Sequence, residues 1–151
     1  MTYLLDTNVV SELRKRYPDP HVLAWYGGVA SADLFISVLT IGEIRLGVER
    51  LRRKDPAQAD LLEQWLGGLQ VIYADHIIDI DTATADQWGR LNVPDPLPVI
   101  DGLLAASAKA RGWTMVTRNT ADLARSGIAV INPFDPPAGS AMAAEPAKVR
   151  P

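Results

Sequence analysis

Short apolar runs alternate with longer stretches of helical spacing along most of this chain, and few architectures satisfy that alternation. Residues 3–5, 34–37, 77–80, 113–117 and 128–131 are brief and apolar, as strands buried on both faces are. Helices are expected over 8–15, 21–26, 40–53, a segment opened by Asp55-Pro56, a segment capped by Asp81 and running to Leu91, then 99–111 and 121–125. Asp19-Pro20 and Asp55-Pro56 each pair an N-cap acid with a proline suited to the first helical position. Ile41, Ile44, Val48 and Leu51 recur at helical spacing, and Gly112 stands where a helix C-terminus favours glycine. Residues 92–98 hold three prolines and read as loop. Strands alternating with helices imply an α/β fold, a parallel sheet covered by helices on both faces.

A chain of 151 residues fits one domain with a real core, expected over 1–135; small residues and prolines from 136 to 151 suggest a disordered tail. Cysteine is absent, which removes disulfides, thiolate metal sites and a Cys nucleophile. Asp6 interrupts the only candidate secretory core and no apolar run nears the ~20 residues of a membrane span, so a cytoplasmic location is expected. A net charge of −3 argues against broad, sequence-independent coating of nucleic acid. The densest cationic cluster, Arg45, Arg50, Arg52, Arg53 and Lys54, reads as a solvated helix face.

The acids are more telling. Asp6 ends the first strand, Glu43 lies early in the helix after the second, and Asp101 is in the first turn of the helix before the fourth. Asn119 and Asp122 follow the fourth strand. In a parallel sheet, strand C-termini and the N-termini of the helices that follow them share one edge. Each residue has a duller reading: Asp6 as a cap, Thr40 and Glu43 as a Thr-x-x-Glu capping box, Asp101 as an acid serving the helix dipole, Asn119 as a turn residue and Asp122 as a surface acid. Carboxylates gathered in one hollow raise one another's pKa, and a hard divalent cation relieves this. Mg²⁺ or Mn²⁺ suits oxygen donors. His21 and His76 lack paired metal-site spacing, which with the absence of cysteine disfavours zinc. Such a site fits phosphodiester hydrolysis by an activated water.

Four segments carry a likeness to a known family. Leu4-Leu5-Asp6-Thr7-Asn8-Val9-Val10-Ser11-Glu12, Thr40-Ile41-Gly42-Glu43-Ile44-Arg45-Leu46-Gly47, Ile100-Asp101-Gly102-Leu103-Leu104-Ala105-Ala106 and Val116-Thr117-Arg118-Asn119-Thr120-Ala121-Asp122 resemble the four motifs of PIN domains, more narrowly those of VapC-type toxins. The resemblance implies a three-layer α/β/α fold with about five strands, and a Mg²⁺- or Mn²⁺-dependent endoribonuclease. It further implies a homodimer that a VapB-type antitoxin neutralises. By motif Asp6, Glu43 and Asp101 take the places of the family's most regular acids, with Asp6 and Asp101 expected on the metal. Glu43 would serve a second ion or the attacking water. Asn119 stands where many members have an acid, and Asp122 would then complete the catalytic set. Thr117 and Asn8 would order the acids through hydrogen bonds. For the antitoxin, the stripe Leu61, Leu62, Trp65, Leu66 and Leu69 is the expected apolar groove.

Two phosphotransfer folds are disfavoured. A haloacid-dehalogenase phosphatase needs a second acid where Asn8 stands, and a response-regulator receiver needs adjacent acids after its first strand. The alternative that survives is a PIN-like module that binds RNA or protein without catalysis, for which Asn119 speaks.

Overall fold

All five strands pair in parallel, and at least one helix separates each from the next. The structure, a computed structural model, describes residues 1–124 and 126–137. Its elements run β1 (Tyr3–Leu5), α1 (Thr7–Arg14), α2 (Pro20–Gly27), a 3-10 turn (Ser31–Asp33), β2 (Leu34–Ser37), α3 (Val38–Arg52) and α4 (Pro56–Ile72). They continue with β3 (Ile77–Ile78), α5 (Thr82–Leu91), α6 (Val99–Arg111), β4 (Thr114–Val116), α7 (Thr120–Ala124) and β5 (Val130–Ile131).

The sheet order is β3-β2-β1-β4-β5. The chain thus starts at the centre, winds to one edge, crosses back and winds to the other. Winding reverses between β1 and β4, and a doubly wound sheet opens a crevice beyond its strand C-termini at that point.

Alternating side chains assign the two faces. Leu5 and Val116 enter a core with Val9, Val22, Ile44, Val48 and Leu66, covered by α1 to α4. Leu4 and Met115 enter a second core with Leu104, Ala105, Ala108 and Leu123, covered by α6 and α7. These are the three layers expected from the alternation. A Cβ on Gly102 would stand 3.4 Å from both Leu97 Cβ and Trp88 Nε1, so a bare backbone lets α6 approach α5 closely.

Several expected elements are shorter or shifted. β3 and β5 are edge strands with one neighbour each, so pairing ends after two residues in each rather than spanning 77–80 and 128–131. Trp113 lies outside β4, its ring 4.5 Å from that of Phe35. Arg125 and residues 138–151, the latter holding all but the first two positions of the expected 136–151 tail, lie outside the described residues.

The apolar stripe of α4 is divided between core and surface. Leu66 and Leu69 are only 1% and 7% exposed and belong to the first core, while Leu62 and Trp65 pack against it; only Leu61 stands out in solvent. Leu66 and Leu69 are thus spent on packing α4 to the sheet, whereas Leu62 and Trp65 keep surface open along a cleft beside α1 and α3. Two of the five cations of the basic cluster are committed to ion pairs: Arg45 pairs with Glu63 at 2.5 Å, and Arg52 with Asp60 at 2.7 Å and Glu63 at 2.9 Å, which ties α3 to α4.

Gly112 ends α6 at φ 68°, and its N–H reaches the carbonyls of Ala108 and Lys109. Any side chain there meets the left-handed penalty of about 1–2 kcal/mol. Gly112→Ala is therefore expected to lower unfolding free energy by about 1 kcal/mol, read from urea denaturation midpoints.

Candidate active site

Asp6 follows β1 directly and sits at the reversal point, with only 6% of its surface exposed. Its backbone N–H bonds the Val116 carbonyl at 2.9 Å, which locks it beside the end of β4. Asp6 is the N-cap of α1: Oδ1 accepts from the Thr7 N–H at 2.7 Å. The capping reading was thus right as far as it went, but it uses one oxygen. Oδ2 accepts from the Thr117 hydroxyl at 2.6 Å and from Asn8 Nδ2 at 3.1 Å. Thr117 is fully buried, and its oxygen also accepts the Asn119 N–H at 3.1 Å, so the loop after β4 is pinned to the carboxylate of β1.

Glu43 is held from the same helix. Thr7 Oγ1 lies 2.7 Å from Glu43 Oε1 and 3.0 Å from Thr40 Oγ1. A hydroxyl has one proton to give, and an ionised carboxylate only accepts. Thr7 therefore donates to Glu43, and the buried Thr40 hydroxyl supplies the proton of the other bond. This overturns the capping-box reading of Thr40 and Glu43. The cap of α3 is Ser37, which accepts from the Leu39 N–H at 3.1 Å; Thr40 lies inside the helix and faces Thr7.

Asp101 is in the first turn of α6, where the helix end favours negative charge, and is half-buried. Asp122 is exposed in the first turn of α7, with its Oδ2 3.5 Å from Asn119 Nδ2. The four acids form an electrostatic chain rather than a tight knot. Burial pushes the Asp6 carboxyl above the ordinary value, the Thr117 hydroxyl opposes this, and the charges of Asp101 and Glu43 push it further up. Burial, then the charge of Asp122, raises Asp101.

Glu12, in the same N-terminal stretch, does not join them. It is buried against the α1–α2 turn, where it accepts from the Asp19 N–H at 3.0 Å and pairs with Lys15 at 2.5 Å, which holds it below the usual range. Thr7, to which sequence reasoning gave no role, and Thr40, which it read only as a cap, are the site residues it missed. The available signal was Ser37, a better N-cap than Thr40 because it closes the apolar strand directly before the helix.

The ionisable neighbours of Asp6 are the carboxylates of Asp101 and Glu43, and the raised carboxyls favour a compensating cation, so the chemistry fits a hard ion. No group of three or more His, Asp or Glu among the described residues is close enough to hold one unaided. The fit is to an ion that takes one or two carboxylates and fills its shell with water, as Mg²⁺ does.

Residues 3–127 match the PIN domain family. The chain belongs to that family. Among relatives of this PIN domain, the VapC ribonuclease Y4jK of Sinorhizobium fredii is 32% identical over 137 residues, covering 88% of this chain and 98% of the relative. Toxin FitB of Neisseria gonorrhoeae is 31% identical over 138 residues, covering 87% and 97%. The crystal structure of FitAcB from Neisseria gonorrhoeae superposes with a TM-score of 0.82 at 29% identity, over 89% of this chain and 100% of that one. No helix among the described residues of the PIN domain is long and apolar enough to cross a membrane.

Proposed function

We propose that this PIN domain is a divalent-metal-dependent endoribonuclease, the toxin of a toxin–antitoxin pair, and that a VapB-type antitoxin neutralises it. The observation that carries the proposal is the set of carboxylates at the β1–β4 crevice: Asp6, buried and pinned by Thr117, within electrostatic reach of Asp101 and Glu43. Relatives named as a VapC ribonuclease and a toxin support the choice of substrate class and partner.

Asp6 and Asp101 are the residues to hold Mg²⁺ or Mn²⁺. Such an ion supplies neutralisation of the non-bridging phosphate oxygens and a lowered pKa for water. Thr117 and Asn8 keep Asp6 in one orientation, and the Thr117 hydroxyl favours its charged form against burial. Thr7 aims Glu43, whose other oxygen is free to accept a proton from the attacking water or to meet a second ion. Asp122, with Asn119 beside it, adds charge at the outer rim. The chain is expected to act as a homodimer, with light scattering of the purified protein reading twice the monomer mass.

Purified protein freed of antitoxin should cleave single-stranded RNA in the presence of Mg²⁺ or Mn²⁺, and a chelator should stop it. RNA that stays intact with both metals while binding tightly would instead favour the non-catalytic binding module.

A further inference from the structure

We infer that the cleft between α1 and α3 seats the nucleotide next to the scissile phosphate of single-stranded RNA, with Arg14 gripping its phosphate. The inference rests on the ribonuclease reading and assigns a part of the substrate that reading leaves open. The cleft has a volume of about 150 Å³ and includes Thr7, Ser11, Arg14, Glu43, Leu62 and Trp65 in its lining. Thr7, Ser11 and Arg14 are four and three residues apart, which sets them in one row along α1. From Thr7 to Arg14 the row runs about 10 Å.

The inner end of this cleft is part of the acid hollow, because Thr7 is bonded there to Glu43. An RNA strand cleaved at the hollow must continue past it, and the cleft is an exit bordered by residues that suit it. Arg14 is exposed and forms no ion pair with any described residue, whereas Arg45 and Arg52 on α3 are held by acids of α4. A guanidinium left open beside an acidic site matches a phosphate bidentately. Ser11 offers a hydroxyl between them. Leu62 and Trp65, both partly exposed, form an apolar wall for a base. A cation that tracks the backbone with an aromatic beside it is the arrangement single-strand grooves use, and it tolerates any base. An open guanidinium next to an apolar, aromatic wall fits a phosphate joined to a base, so a nucleotide is the better occupant.

The test is binding of a fluorescently labelled single-stranded oligoribonucleotide, followed by anisotropy over a range of salt, in the Asp6→Asn chain so that the RNA survives. Adding Arg14→Gln should weaken binding about ten-fold and reduce the steepness of log K against log salt by about 0.7, the share of one phosphate on a single strand. Arg90→Gln, at an exposed position of α5 outside the cleft, removes the same charge and should change neither quantity. In the active chain, Arg14→Gln should raise KM about ten-fold and leave kcat within about two-fold, the mark of lost uniform binding. If Arg14→Gln behaves like Arg90→Gln while the wild-type chain binds and cleaves RNA, the cleft assignment falls and the ribonuclease reading stands. A wild-type chain that neither binds nor cleaves RNA overturns both.

Discussion

Asp6→Asn is expected to abolish RNA cleavage and, in metal-free protein, to raise the melting temperature. The two effects share a cause. Asp6 is buried beside two other acids, and burial together with the charges of Asp101 and Glu43 penalises its ionised form. Asparagine has the same shape without the charge. Its oxygen can still accept from the Thr7 N–H, and its amide can donate to the Thr117 oxygen once that hydroxyl rotates. Asn8 keeps its contact by turning its own amide oxygen inward. The hydrogen bonds survive in kind and the repulsion goes. A gain of about 1 kcal/mol corresponds to roughly 2–4 °C in a domain of this size.

Linkage adds a pH signature. The folded-state value of Asp6 lies above its ordinary 3.8, so the native state holds a proton that the unfolded state has released. Its contribution to stability is fully present below 3.8 and is lost as pH rises through the raised folded value. Metal-free wild type should therefore weaken as pH rises from 3.8 through the raised folded value, and Asp6→Asn should flatten that slope, leaving the part due to Asp101. Added Mg²⁺ should stabilise wild type and leave Asp6→Asn unmoved, since an ion that binds only the native state stabilises in proportion to its affinity. A variant that loses activity by unfolding, or a melting temperature that does not depend on metal in either protein, would count against the site.

The fold was legible because strand and helix differ in period, and the runs around Leu4-Leu5 and Met115-Val116 are too short and apolar for helix. What periodicity did not supply was where edge pairing stops, since the pairing of Ile77–Ile78 and Val130–Ile131 depends on neighbours distant in the chain. At the site, the convergence of acids followed from topology, because residues after parallel strands share an edge. The hydroxyls did not follow. Thr40 matched a local rule with Glu43, yet its oxygen faces Thr7, 33 residues away. A short motif contains no record of such a partner. The α4 stripe shows a related limit: hydrophobicity on a helix face does not say what covers it, and here the sheet's own core covers Leu66 and Leu69 while Leu61, Leu62 and Trp65 keep open surface.

Thr117→Val carries the second large effect. Valine has nearly the volume of threonine and no hydroxyl, so packing in this fully buried position is kept while the 2.6 Å bond to Asp6 disappears. A hydrogen bond to a charged group contributes about 1.5–3 kcal/mol, and a loss of that size is expected at pH values where Asp6 is ionised. Thr117 is also the strongest influence holding the Asp6 carboxyl down, so its removal lets burial and the neighbouring charges push the carboxyl higher still. The acid limb of the pH–rate profile should shift toward alkaline pH. Groups that orient a metal-binding carboxylate typically contribute 10–100-fold in metal affinity or activity, and the Mg²⁺ titration of cleavage should move by that order. Thr117→Ser retains the hydroxyl and should recover most of both. A Thr117→Val enzyme with an unmoved acid limb and unchanged metal requirement would mean that Thr117 only fastens two strand ends together, and that Asp6 is tuned by something else.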